Sequence, residues 1–232
     1  MNTIVIGKEG EQPFKISQSG VSRQHAKITI DDQNQWFLED LNSANGTFLR
    51  RETDGQLVRV GKIKITPLSF ICLGPDNSRG CRFYARQVLN ENAGNFNEEF
   101  NYLNEKTDYF EGRMNKVDRK IKLSKLVLLI VNLLIIVVSF AGQYIHLGTD
   151  DYGNPVPLIG NSANFMLLRI GTVASMLMAT MFDPFASKKR IDSERRKFSQ
   201  CPNPDCGNVL SAFDIREYQC PRCRNKMTRK EQ

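Results

Sequence analysis

Ser22-Arg23-Gln24-His25-Ala26 and, ten residues on, Trp36-Phe37-Leu38-Glu39-Asp40-Leu41-Asn42-Ser43-Ala44-Asn45-Gly46-Thr47 decide how this chain folds. The second stretch opens with large apolar residues and closes in a run of Asn, Ser and Gly. That is the signature of a strand running into a loop. Between the two, Ala26-Lys27-Ile28-Thr29-Ile30 alternates apolar with polar, and Asp31-Asp32-Gln33-Asn34 supplies a hairpin turn, since Asp and Asn tolerate left-handed backbone. Thr3-Ile4-Val5-Ile6, Lys62-Ile63-Lys64-Ile65 and Arg82-Phe83-Tyr84-Ala85 alternate likewise, and no strong helical pattern precedes residue 90. Residues 1–88 are therefore expected to form an all-β sandwich, and the chain to be mainly β.

Working outward, 232 residues leave room for one large domain or two or three small ones. At 41% hydrophobic and 25% charged residues, the composition excludes a disordered or collagen-like chain. Only two histidines, His25 and His146, are present, so histidine-based catalysis has little material. No nucleophile elbow, HExxH or dinucleotide fingerprint appears. The segment Gly55 to Ile63 is one residue too long for a P-loop and has Ile63 where Ser or Thr would hold magnesium. The reading is a non-enzyme.

The opening pair of motifs resembles the forkhead-associated (FHA) domain over residues 3 to 75. That pattern has Gly-Arg near the first strand, then Ser-Arg-x-His, then a strand ending Asp-Leu-x-Ser-x-Asn-Gly-Thr. The resemblance implies an FHA-type β-sandwich that binds a phosphothreonine protein, with a Ser/Thr kinase upstream. It assigns phosphopeptide binding to Lys8, Ser22, Arg23 and Asn45, and loop bracing to His25 and Gly46. The chemistry agrees: a phosphothreonine brings nearly two negative charges and three acceptor oxygens. Ser22 offers a hydroxyl and an N–H, Arg23 a guanidinium, and Asn45 an amide for the peptide backbone. Two positions depart from the pattern. Gly7-Lys8 replaces Gly-Arg, exchanging a bidentate fork for a point charge. Ala44 stands where a side-chain donor is common.

Leu126 to Ile145 is a run of 20 residues without a charge, enough to cross about 30 Å of hydrocarbon. Asn164 to Phe182 is a second apolar stretch, with Arg169 near its start to snorkel outward. Gly171, Ser175 and Ala179, spaced by four, suit close helix packing in lipid. Lys116, Arg119, Lys120, Lys122 and Lys125 flank one end, and Lys188, Lys189, Arg190, Arg195, Arg196 and Lys197 the other. The connecting loop carries no Lys or Arg. Basic flanks of this kind predict an integral membrane protein, a transmembrane hairpin with both termini cytoplasmic, as in a bacterial inner membrane.

Phe96, Phe100, Leu103, Thr107, Phe110, Met114, Val117 and Ile121 are spaced alternately four and three apart, a heptad seam on a linker helix. It either rests on its own domain or the membrane surface, or pairs with a second copy, giving a homo-oligomer through residues 96–121. Near the C-terminus, Cys201, Cys206, Cys220 and Cys223 form C-x4-C-x13-C-x2-C. Four thiolates so grouped suit a structural Zn2+ in a small zinc ribbon, with Asn208 to Gln219 as a short hairpin. A reducing cytoplasm disfavours the alternative, two disulfides. Cys72 and Cys81 read as buried small hydrophobes. The ribbon's basic residues are diluted by acids, which favours a second protein partner over nucleic acid or lipid.

The expected order is thus an FHA sandwich (1–88), linker helix (89–122), first span (123–146), extracytoplasmic loop (147–162), second span (163–185), basic segment (186–198) and zinc ribbon (199–232). This organisation describes a membrane-anchored signalling adaptor. The alternative is a structural subunit of a membrane machine, such as a secretion apparatus, with the FHA scaffold used independently of phosphate.

Overall fold

The computed structural model describes residues 1–149, 151–157, 166, 170–171 and 184–224. They divide into two units, residues 1–111 with 192–232, and residues 112–191.

In the first unit, alternation becomes two four-stranded antiparallel sheets. One runs in the order β1 (Asn2–Ile6), β2 (Ala26–Ile30), β3 (Trp36–Asp40), β6 (Lys62–Ile65). The other runs β5 (Leu57–Val60), β4 (Thr47–Arg50), β7 (Phe70–Leu73), β8 (Cys81–Tyr84). Strands with period-two alternation bury one face and leave the other to solvent. Accordingly Ile6, Ile28, Leu38, Ile71, Leu73 and Phe83 are fully buried in one core, with Trp36 and Ile65 beside them. Burying each such side chain contributes about 1.5–3 kcal/mol relative to exposure. The predicted turn between β2 and β3 is present: Asn34 is left-handed at φ 57°, and the Asp31 carboxylate accepts from the N–H groups of Gln33 and Gln35. Cys72 and Cys81 are buried in strands, and burial pushes their thiols up to about 11 and about 12.

The linker seam and the first apolar run form a single helix, α1 (Asn97–Tyr144), of 48 residues. At 1.5 Å per residue it is about 72 Å long, more than twice the hydrocarbon thickness. None of its most apolar stretch is buried within the protein. The front of the seam is not available to a second copy. Phe96, Phe100 and Leu103 pack against Leu210, Ile215 and the C-terminal cysteines, and Thr107 and Phe110 are buried as well. Of the two readings of the seam, over residues 96–110 the chain's own packing displaces the homo-oligomer.

The C-terminal segment holds α2 (Pro184–Phe198) and a single helical turn, α3 (Ala212–Arg216). The expected hairpin over Asn208 to Gln219 is replaced by α3. Ser211 caps it by accepting from the Asp214 N–H, while Asp214 accepts from the Ser211 N–H, a capping box that outcompetes weak alternation. Among the described residues of this segment, one isolated bridge, Gln200 with Val209, has ladder character.

This segment is joined to the sandwich and to the start of α1. Arg50 donates to the Lys197 carbonyl and the Tyr84 hydroxyl, and lies 4.0 Å from the Phe70 ring centre. Gln87 donates to the Pro202 carbonyl at 2.9 Å and to Glu99. Arg86 pairs with Glu99 at 3.1 Å, both buried. Burial raises the Glu99 carboxyl against the pull of that guanidinium.

In the second unit the expected loop contains a strand pair, β9 (His146–Thr149) with β10 (Pro155–Pro157). Most of the second apolar stretch, including Arg169, Ser175 and Ala179, and the C-terminal tail beyond residue 224 lie outside the described residues. At Gly171, which is described, an added Cβ would stand 2.7 Å from Ile135 Cδ1 of α1.

Candidate functional site

Three loops meet at one end of the sandwich. The first follows β1. A Cβ on Gly7 would land 2.0 Å from the Arg23 carbonyl oxygen, so only glycine lets this loop touch the second one. The contact is sewn by the Lys8 N–H donating to the Ser22 carbonyl at 3.1 Å and the Glu9 N–H to the Arg23 carbonyl at 3.0 Å. Gln12 completes it, donating to the Gly7 carbonyl and accepting from its N–H.

The third loop, between β3 and β4, closes on itself. Asp40 accepts from the Ser43 hydroxyl at 2.6 Å, the Thr47 hydroxyl at 2.5 Å and the Ser43 N–H at 3.0 Å. Burial works against the ionised carboxylate, but these donors outweigh it and hold Asp40 below its ordinary range. Ser43 Oγ in turn accepts from the Gly46 N–H, and Gly46 takes φ +83°, a left-handed conformation that favours glycine. The Asp-x-x-Ser-x-x-Gly-Thr spacing is thus the wiring of one turn.

His25, fully buried, ties the second loop to the third. Its Nδ1 accepts from the Ser22 N–H at 3.0 Å, and its Nε2 sits 3.0 Å from the Gly46 carbonyl. A carbonyl can only accept, so the proton is on Nε2 and the ring is neutral. Burial lowers its pKa, outweighing the Gly46 carbonyl and the Asp40 charge.

At the tips, Lys8 and Arg23 are exposed, and their side chains make no hydrogen bond or ion pair with any described residue. Ser22 Oγ accepts from the Ala44 N–H at 3.3 Å, which leaves its own proton to donate outward. The Ser22 N–H, assigned to ligand from sequence, is spent on His25 and is corrected to a bracing role. Asn45 donates through Nδ2 to the Gly20 carbonyl at 2.9 Å; its Oδ1 is the atom left for a peptide N–H. Lys8, Ser22, Arg23 and Asn45 are therefore gathered on joined loops, with His25 and Gly46 behind them. The side chain of Arg59 in β5 lies beside Gly46, a neighbour that the motifs do not mark. Only the strand pairing that sets Phe48 opposite Arg59 brings it there.

The four C-terminal cysteines also converge. Cys201 and Cys223 Sγ are 3.7 Å apart, Cys206 and Cys220 Sγ 3.6 Å, and all four lie within 4.8 Å of one another. A disulfide would require about 2.05 Å. Four thiolates about 2.3 Å from a tetrahedral ion stand about 3.8 Å apart, close to what is seen. The donor set therefore fits a metal ion. Gly207 adopts φ +60° directly after Cys206, allowing the chain to turn back around the cluster. Backbone N–H groups of Cys223 and Arg222 offset the cost of burial at Cys220 and draw its thiol down to about 7.

Comparison with known proteins bears on the sandwich alone. No curated protein matches the chain. Solved structures align over about a third of it. An FHA structure from an analysis of phosphothreonine-dependent FHA interactions is 29% identical, covering 34% of this chain and 71% of its own, with a TM-score of 0.27. The FhaA FHA domain, complexed with the intracellular domain of Rv3910, is also 29% identical, covering 34% and 75%, with a TM-score of 0.27. The FHA domain of CT664 from Chlamydia trachomatis is 26% identical, covering 34% and 70%, with a TM-score of 0.26. The family model described as the FHA domain matches residues 4–69, so the N-terminal sandwich of this chain is an FHA domain.

Proposed function

We propose that this protein is a membrane-anchored adaptor whose FHA domain binds a phosphothreonine protein and whose cysteine module, a zinc ribbon, docks a second protein. One observation carries the reading: Lys8 and Arg23 stand exposed and uncommitted on loops locked together around Ser22. A phosphate there would meet two cations and the Ser22 hydroxyl, and Asn45 Oδ1 would take an N–H of the peptide. Each charge-assisted bond is worth about 1.5–3 kcal/mol. Rigid loops contribute by requiring little ordering on binding.

Zinc is the ion that four thiolates favour, and with no open position its role is structural. Two of the module's cations are engaged internally, Arg216 with Asp108 and Glu111 and Arg222 with the Cys206 carbonyl, which weakens a nucleic-acid reading. The exposed apolar stretch of α1 with its basic flanks supports anchoring, both termini on the cytoplasmic side, in a membrane of the bacterial inner type. Holding two partners at one surface raises their effective concentration without chemistry. A Ser/Thr kinase would supply the mark.

A second reading draws on the internal use of the Ser22 N–H and Asn45 Nδ2, together with Lys8 and Ala44. It makes the protein a structural subunit that uses the FHA scaffold without phosphate. Affinity purification of the full chain from detergent extract, with and without phosphatase, separates the two. The adaptor reading expects the partner to be lost after phosphatase. A stoichiometric complex that survives treatment overturns it in favour of the second.

A further inference from the structure

We propose that the cleft between the β4–β5 hairpin and the end of α2 binds a small hydroxy acid, its carboxylate held by Arg50 and Lys197. The site lies at the far end of β4 from the loop tips and does not depend on the phosphothreonine reading.

Strand β4 alternates about its sheet. Leu49 packs on the sandwich core, opposite Ile71 of β7. Phe48 and Arg50 therefore project from the other face, and the register sets Leu57 beside Arg50. Such a face ordinarily meets water, but here the end of α2 covers part of it. Gly55, at φ +69°, lets the hairpin press against that cover. A Cβ on Gly55 would stand 2.9 Å from Lys197 Cβ and 2.9 Å from Phe198 Cε2. Between hairpin and cover lies a cleft of about 380 Å³, and Phe48, Arg50, Leu57, Phe70, Lys197 and Gln200 contribute to its walls. That volume suits a small molecule.

Arg50 is fixed in the wall. It donates through Nη1 to the Lys197 carbonyl and through Nη2 to the Tyr84 hydroxyl, and its Cζ sits 4.0 Å from the Phe70 ring centre. It is 3% exposed, yet no described carboxylate pairs with it and its Nε has no hydrogen-bond partner among the described residues. Rings and a carbonyl offset part of the cost of burying a cation but supply no opposite charge. The neighbouring acids are committed elsewhere. Asp76, also in the wall, pairs with Arg82, Asp54 with Arg51, and Glu52 with Lys106. Lys197, half-buried, is a second cation without an ion pair to any described residue. Gln200 Oε1 is buried and receives no hydrogen bond among the described residues.

These unmet needs describe one ligand. Two cations without counter-ions require an anion, and a carboxylate matches the guanidinium's planar fork. Phe48 and Leu57 suit a carbon skeleton. The Gln200 acceptor requires a donor, which a hydroxyl supplies. Bound there, the acid touches both the sandwich and α2.

The test uses the full chain in detergent, at fixed ionic strength, and titration calorimetry. The probes are malate and lactate, their counterparts without the hydroxyl (succinate and propionate), and uncharged malamide. At least one hydroxy acid is expected to bind saturably, about tenfold more tightly than its counterpart, with no measurable binding of malamide. Lys197→Gln should weaken it about tenfold, and Leu57→Trp, which fills the cleft, should abolish it. Neither variant removes the ties of Arg50, and both should keep the wild-type circular dichroism. Arg23→Ala should leave it unchanged. No saturable binding of either hydroxy acid, or binding untouched by Leu57→Trp or Lys197→Gln, overturns the proposal. Loss of binding in Arg23→Ala also overturns it, placing the acid at the loop tips. Equal affinity for malamide overturns the role of the cations, and equal affinity for succinate and propionate that of Gln200.

Discussion

Arginines at the two ends of the FHA sandwich live in opposite circumstances. At the end joined to the cysteine module, Arg50 and Arg86 are 3% and 7% exposed. Arg86 has Glu98, Glu99 and Asn92 around it; Arg50 has a carbonyl, a hydroxyl and aromatic rings. At the loop end, Arg23 and Arg59 are exposed with no described partner. Burying a charge is costly unless its surroundings compensate it, so Arg86, ion-paired, and Arg50, hydrogen-bonded and stacked on rings although its Nε has no partner among the described residues, are structural ties. An exposed cation without a partner adds nothing to the fold and is free to meet a ligand. Charge alone does not assign a role, but charge together with its partners does.

That contrast can be broken in four ways, in descending order of effect on stability. Denying the four cysteines a metal ion should matter most. Apparent binding energies of about 10–16 kcal/mol for structural zinc in zinc-finger peptides are folding energy for so small a module. Chelation, or Cys220→Ser, should expose Phe100 and Leu103 and make the C-terminal segment sensitive to limited proteolysis. Unchanged cleavage with metal content at zero would mean the thiols need no ion. Next, Arg86→Met leaves Glu99 buried without its counter-ion. Thermal unfolding of the purified chain should register a loss of about 3–5 kcal/mol.

Third comes pH. Burial lowers the His25 pKa from 6.5, so protonation favours the unfolded chain. Stability from this group is complete above pH 6.5 and declines as pH falls below it. Asp40 is shifted below 3.8 and adds its own loss only under that pH. Unfolding midpoints measured from pH 7.5 to 5.5 should fall modestly, and a flat profile would contradict the neutral, bracing ring. Last, Arg23→Ala should change stability by no more than about 0.5 kcal/mol, as for an exposed residue without contacts. It should nonetheless abolish the phosphate-dependent part of peptide binding. A large drop in stability would place Arg23 with Arg50 and Arg86 instead.

Much of this contrast was legible before any coordinates. Alternation gave β2 and β3 and the Asp31–Asn34 turn, because a half-buried strand has no other way to hide one face. The resemblance to the FHA pattern implied that Lys8, Ser22, Arg23 and Asn45 lie on loops that meet, and the Asp40, Ser43, Gly46 and Thr47 part of that pattern is the wiring of one local turn. What sequence could not supply were facts of partnership across distance. That the Ser22 N–H is spent on His25 and Asn45 Nδ2 on Gly20 depends on loops meeting in space. Arg59 emerges only from the β4–β5 register. The seam from Phe96 to Phe110 has the same period whether it faces a twin or its own cysteine module; the spacing records that a face is apolar, not what covers it.

One consequence concerns the path of the chain. Residues 1–111 and 192–232 are knit into one body by ties such as Gln87 to Pro202 and Arg50 to Lys197. The stretch from 112 to 191 is thus an excursion that departs from that body and comes home to it. A tether fastened at both ends to one object cannot pierce a sheet an odd number of times. Any bilayer crossed on the way must be crossed back, and the crosslink between the chain's distant thirds enforces this parity without reference to flanking charge.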